Sequence, residues 1–73
     1  MSRRFKIAFD KLSEIDKRWY QDLFFKKRHS EGEVKSAIGS GIDGPSLNYL
    51  SSIMRSQVAA FETFCAYLEE KTK

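Results

Sequence analysis

Sulfur and imidazole are scarce in this sequence of 73 residues, and their scarcity excludes several kinds of site. Cys65 is the only cysteine, so no disulfide framework can form within the chain. His29 is the only histidine and lies far from Cys65 in the sequence, which leaves no spacing suited to zinc ligands. We therefore expect no metal site and no cofactor.

Long apolar runs are also missing. The sequence has no stretch of about 18 consecutive apolar residues, the length that a membrane-spanning helix needs. The opening residues, MSRRFKIAFDKLSE, become charged before the apolar core of a signal peptide could form. These two features predict a soluble protein of the cytoplasm.

Proline occurs once and glycine four times, with three of the glycines in the stretch GSGIDGPS at residues 39–46. Their spacing, G-x-G-x-x-G, matches a dinucleotide-binding loop. Such a loop follows a buried strand and lies within a parallel sheet, whereas the residues on both sides of this stretch have helical spacing. We interpret the stretch as a turn between helices.

Aromatic residues and basic charge are plentiful by comparison, with six Phe, three Tyr and one Trp. Residues 1–29 contain nine Lys or Arg against four Asp or Glu, and residues 30–73 contain four against six. This asymmetry permits contact with nucleic acid or pairing between opposite halves of two chains. A domain of this size has little core of its own, so we expect oligomerisation or a partner protein to supply further burial.

Helical spacing covers most of the chain. Apolar residues three or four positions apart predict a long helix over about residues 3–28, and they are Phe5, Ala8, Leu12, Ile15, Trp19 and Leu23. An alternative is a short strand over residues 3–9 followed by a helix from Asp10. Ser30 and Glu33 form a capping box that predicts a separate short helix over about residues 30–38. After a glycine-rich turn at 39–44, Pro45 begins a second long helix over about residues 45–71.

These elements predict a single all-α domain over residues 1–73, an antiparallel helical hairpin of two long helices with a short connecting helix. The apolar stripe of each long helix is wider than one partner helix can cover. We therefore expect two hairpins to pair into a four-helix bundle, as a homodimer or a higher oligomer. The predicted oligomer interface consists of Phe9, Leu23, Ile53, Val58, Phe61, Phe64 and Cys65.

Aromatic and basic side chains concentrate towards the end of the first long helix. These residue types dominate the energetics of protein interfaces, and the predicted partner-binding residues are Trp19, Tyr20, Phe24, Phe25, Lys26, Lys27 and Arg28. We predict a non-enzymatic protein-interaction module, a regulator or inhibitor of the antirepressor or adaptor type. No catalytic residue and no small-molecule substrate are expected, because Cys65 lies on the apolar stripe away from any base.

A basic ridge provides the alternative. Arg4, Lys11 and Arg18 recur every seven residues along the predicted first helix, where they could contact phosphates. The protein would then be a nucleic-acid-binding accessory protein. Acidic residues interrupt the same helix, so the sequence favours a solvated flank over a phosphate-binding surface.

Overall fold

The computed structural model describes residues 4–73 and contains two long helices joined by a short turn. A 3-10 turn at Phe9–Lys11 precedes helix α1, Glu14–Gly39, and helix α2 spans Gly44–Lys71. The two helices pack against each other as a hairpin with overall dimensions of 45 × 23 × 15 Å. The prediction of an all-α helical hairpin is confirmed.

The first helix differs from its predicted bounds at both ends. The long helix predicted over about residues 3–28 is present only from Glu14 onwards, because residues 4–8 have no regular secondary structure. Its predicted start at residue 3 lies outside the described residues. The Ser13 side chain caps α1 by accepting a hydrogen bond from the Asp16 N–H at 3.2 Å. The alternative strand over residues 3–9 is wrong, since residues 4–73 contain no strand.

The predicted short helix over about residues 30–38 is the continuation of α1. Ser30 does not act as a cap, because it lies inside α1 and is buried against the rest of the hairpin together with Val34 and Ala37. Packing of these three residues outweighs the weak helix propensity of Gly32. The short helix is therefore the last part of a single helix of 26 residues.

The turn after Gly39 reverses the chain within a few residues. Gly41 has a φ of 71°, a left-handed conformation that only glycine adopts without strain, and the Ile42 N–H donates to the Ala37 carbonyl at 3.2 Å. Asp43 then caps α2 by accepting from the Ser46 N–H at 3.2 Å. Pro45 lies in the first turn of α2, as predicted.

The N-terminal segment, residues 4–12, packs against the C-terminal end of α2. The Lys6 N–H donates to Oε2 of Glu69 at 2.9 Å, and the Ala8 N–H donates to Oγ1 of Thr72 at 3.2 Å. This segment also contributes Leu12 to the core. Within the described residues the buried apolar side chains are few: Leu12, Val34, Ala37, Cys65 and Leu68.

Candidate functional site

An apolar groove lies along one side of the hairpin, between α1 and α2. It has a volume of about 650 Å³ and is lined by Asp16, Trp19, Leu23, Ala60, Thr63, Phe64 and Tyr67. Phe64 lies at its centre, with its ring centroid 6.2 Å from that of Trp19 and 6.0 Å from that of Tyr67. Trp19 and Tyr67 are nevertheless 56% and 54% exposed. The groove therefore presents large aromatic surfaces to solvent.

A charged pair closes the end of the groove nearest the helix termini. The Lys71 ammonium donates a hydrogen bond to Oδ2 of Asp16 and also lies 5.7 Å from the centre of the Tyr67 ring. The hydrogen bond lowers the pKa of Asp16 below its usual value and raises the pKa of Lys71 above its own. Because each charge has its partner, the groove carries no net charge from these two residues.

An aromatic column, formed by Tyr20, Phe24 and Phe61, joins the two helices beside the groove. The Phe61 ring lies 5.3 Å from Tyr20 and 5.8 Å from Phe24, measured between centroids. Phe9 of the N-terminal segment packs edge-on against Tyr20 at 5.0 Å. Burial raises the pKa of Tyr20. The column is a structural contact between α1, α2 and the N-terminal segment.

A basic hollow of about 470 Å³ lies on the other flank of α1 and is lined by Phe24, Lys27, Arg28, Glu31, Gly32 and Lys35. Lys27 forms an ion pair with Glu31 at 3.1 Å, and its ammonium lies 5.5 Å from the centre of the Phe61 ring. The Arg28 guanidinium lies 5.8 Å from the centre of the Phe24 ring. The hollow thus combines three cations and one carboxylate with an aromatic side chain.

The predicted partner-binding residues are divided among these regions. Trp19 lines the groove, while Phe24, Lys27 and Arg28 line the basic hollow. Tyr20 belongs to the aromatic column. Lys26 forms an exposed ion pair with Asp22 at 2.9 Å, and Phe25 is 70% exposed. Five of the seven are nevertheless joined through the Phe24 ring, which Tyr20 and Phe25 contact and over which Lys27 and Arg28 lie. Trp19 and Lys26 line a separate hollow.

The predicted oligomer interface is only partly available to a second chain. Leu23 and Phe64 line the groove, whereas Phe61 and Phe9 pack within their own hairpin. Ile53 and Val58 are half-buried on α2. Cys65 is 2% exposed, and burial raises its pKa, so its assignment to an interface is corrected: the hairpin's own core already covers it.

The predicted phosphate-contacting residues do not share a helix. Arg4 is in the N-terminal segment and Lys11 in the 3-10 turn, whereas Arg18 is on α1. Arg4 lies beside Glu69 in a small hollow, and Arg18 lies beside Asp22 in another. The predicted helical ridge of cations is therefore not formed, because α1 begins later than the apolar spacing indicated.

Sequence reasoning missed several members of both surfaces. In the groove, Ala60 lies four residues before Phe64 and Tyr67 lies three residues after it. This helical spacing could have identified both as groove residues. Gly32 and Lys35 of the basic hollow were hidden by the division of α1 into two helices. A continuous helix places Arg28 and Lys35 two turns apart on one flank.

Sites of other kinds are absent from the part of the chain that the structure describes. Within residues 4–73, no three His, Cys, Asp or Glu side chains are grouped closely enough to hold a metal ion. Neither helix in this range is long and apolar enough to cross a bilayer. Comparisons with protein-family models, with curated proteins and with solved structures find no match.

Proposed function

We propose that this protein is a non-enzymatic protein-interaction module whose hairpins pair through the groove into a four-helix bundle. The exposed aromatic groove carries this proposal. It places Trp19, Phe64 and Tyr67 side by side on a surface without an unpaired charge. An exposed aromatic surface of this kind is typical of a protein interface.

The small core of the hairpin supports pairing. Among residues 4–73, five apolar residues are buried, and a domain with so few depends on further burial for its stability. Covering one large apolar side chain contributes about 1.5–3 kcal/mol. Pairing through the groove would cover several such side chains on each of two chains.

The dimensions of the hairpin fit such an interface. Its broad side measures 45 × 23 Å, and a stable interface buries roughly 800 Å² on each partner. Two hairpins stacked on this side would bury an area of that order. A two-fold arrangement also places the same groove on both sides of the interface, so that each Trp19 meets the partner's groove.

We further propose that the paired module acts as a regulator or inhibitor in the cytoplasm by binding another protein. Small all-helical domains without a catalytic cluster serve such roles on many folds, and this step rests on that analogy. The alternative, nucleic-acid binding through Arg4, Lys11 and Arg18, has weaker support, because these residues lie on three different elements.

Sedimentation velocity at micromolar concentration tests the pairing. The unmodified protein should sediment as a species of twice the 8.5 kDa chain mass. Trp19→Asp should sediment as a monomer, because it places a carboxylate in the groove. Phe25→Asp is the matched control and should remain paired, since Phe25 is exposed and lies outside the groove.

Two results would contradict the proposal. One is an unmodified protein that is monomeric at these concentrations and unfolds cooperatively. The other is equal loss of pairing in Trp19→Asp and Phe25→Asp, which would show that the groove has no special part in association. Circular dichroism of both variants should confirm that each retains its helices.

A further inference from the structure

The basic hollow differs from the rest of α1 because two of its cations have no ion pair within residues 4–73. Elsewhere on α1 most ionic side chains pair along the helix, as in Lys26 with Asp22 at 2.9 Å and Lys17 with Glu14 at 3.6 Å. Arg18 also lacks an ion pair within residues 4–73, but no second unpaired cation lines its hollow. Within residues 4–73, neither Arg28 nor Lys35 has a carboxylate within ion-pair distance. Both point to the same hollow, whose other cation, Lys27, is already paired with Glu31.

Gly32 lines the hollow between Arg28 and Lys35 and places no side chain there. A Cβ atom built on Gly32 would have no neighbouring atom within 4 Å, so the space above it is open. Phe24 lies at one end of the hollow, where it is half-buried beneath the Arg28 guanidinium. The hollow therefore offers open space between two cations that have no ion pair within residues 4–73, with an aromatic side chain at one end.

We propose that the basic hollow binds an acidic segment of a partner protein. Two carboxylates of the segment pair with Arg28 and Lys35, and an apolar or aromatic side chain between them enters the space above Gly32. Arg favours such sites because its planar guanidinium pairs with a carboxylate through two hydrogen bonds while it stacks on an aromatic ring. The inference rests on the proposed function as an interaction module and assigns its partner a chemistry.

A protein partner fits the hollow better than nucleic acid does. Arg28 and Lys35 are the only cations lining the hollow that lack an ion pair within residues 4–73, and two cations do not provide the series that follows successive phosphates. An acidic protein segment can place its carboxylates at the two cations and leave Glu31 paired with Lys27.

A separate partner also fits better than a second copy of this chain. Trp19 of the groove and Phe24 of the hollow are five residues apart on α1, which is about 140° around the helix. Pairing through the groove therefore leaves the hollow of each chain open to solvent. A paired module would present two such hollows.

Fluorescence anisotropy with a short fluorescein-labelled peptide tests the proposal. The peptide carries Asp and Glu residues on both sides of one Phe, and a second peptide carries Lys in their place. The acidic peptide should bind at low salt and the basic peptide should not. Binding should weaken by at least about tenfold in the double variant R28E/K35E, because both ion pairs then become repulsions.

Two further variants separate charge, shape and folding. R18E/K26E changes the net charge by the same amount on the other flank of α1, where these residues line a different hollow, and should leave the affinity within about twofold. Gly32→Leu fills the space with a good helix former and should lose binding by about tenfold while its melting temperature is maintained. Loss of binding with a maintained fold would show that the hollow itself is the site.

Several outcomes would overturn the proposal. Equal weakening in R28E/K35E and R18E/K26E would show attraction by net charge alone. A single-stranded oligonucleotide that displaces the peptide from the unmodified protein but not from R28E/K35E would assign the hollow to nucleic acid. Dissociation of the paired module in R28E/K35E would assign it to a second copy of the chain. If the peptide fails to bind while sedimentation shows the pair intact, this inference fails and the pairing proposal stands.

Discussion

The apolar groove and the basic hollow lie on two flanks of the same helix but have opposite chemistry. In the groove, the one carboxylate, Asp16, is paired with Lys71, and the remaining surface is aromatic or aliphatic. In the hollow, Arg28 and Lys35 have no ionic partner among residues 4–73 and lie around a single phenylalanine. The difference shows that a helix too broadly amphipathic for one neighbour can supply two unlike surfaces.

The aromatic column contacts the basic hollow on one side, and its neighbour Phe64 contacts the groove on the other. Phe61 contacts Tyr20 and Phe24 and lies below Lys27 of the hollow, whereas Phe64, one turn further along α2, contacts Trp19 and Tyr67 of the groove. Both phenylalanines are half-buried. Phe61 lies on the side of the basic hollow and Phe64 in the groove, so parallel substitutions of the two residues compare the two surfaces.

Truncation of these two phenylalanines should have different consequences. Phe61→Ala removes the contact that joins the helices and should lower the free energy of unfolding by about 2–4 kcal/mol. Phe64→Ala removes groove surface and should weaken pairing by about 1–3 kcal/mol, with a smaller loss of stability within one chain. Urea unfolding and sedimentation velocity, both at matched protein concentration, measure the two effects.

Phe25→Ala serves as the control for both substitutions, because Phe25 is exposed and should change stability by less than about 0.5 kcal/mol. Equal weakening of pairing by Phe61→Ala and Phe64→Ala would contradict the separation of the groove from the aromatic column. In that case the groove and the column would form one interface, and the basic hollow would border it.

The stability of the fold should depend on pH through the ion pair of Asp16 with Lys71 at the end of the groove. The pKa of Asp16 is lowered, chiefly by its hydrogen bond from Lys71, so its contribution is present above the ordinary value of about 4 and is lost as the pH falls through the lower folded value. The pKa of Lys71 is raised, chiefly by the same hydrogen bond, so its contribution is lost as the pH rises through a value above about 10.4. The pair stabilises the fold between these limits.

Melting temperatures across this pH range test the pair. Asp16→Asn should lower the melting temperature near neutral pH, and its difference from the unmodified protein should shrink towards both extremes. Asp22→Asn is the control, since it breaks an exposed ion pair with Lys26 that contributes little. A difference that is independent of pH would show that Asp16 acts by packing instead of by charge.

The hairpin itself could be predicted from the sequence, whereas the start of its first helix could not. Spacings of three and four residues, together with the glycines and Pro45, were enough to predict two packed helices and the turn. The same spacing at Phe5, Ala8 and Leu12 was misleading, because the N-terminal segment packs against the end of α2 without forming a helix. The cap at Ser13 is a weaker signal than this apolar pattern and was overlooked.

The edges of the two surfaces were harder to predict because they depend on how α1 is rotated against α2. Two of the four buried residues of α1 are polar, Asp16 and Ser30. The apolar spacing places Trp19 on the side of α1 that faces α2, and in the structure it does contact Phe64 of α2, but at the edge of the groove, where it remains 56% exposed. Trp19 and Phe24 are five residues apart, which is about 140° around any α-helix, so the two side chains face different surfaces however α1 is rotated.

Gly32→Ala has the smallest expected effect and tests whether the basic hollow lies outside the pairing interface. The added methyl group meets no atom within 4 Å and lies within a helix, so it should stabilise the fold by about 0.5–1 kcal/mol. Gly41→Ala is the contrasting control and should destabilise, because Gly41 has a φ of 71°. Urea unfolding measures both changes, and sedimentation should show pairing unchanged in Gly32→Ala, since the hollow lies away from the groove. A Gly32→Ala variant that pairs more weakly would place this flank of α1 within the interface and contradict the separation of the two surfaces.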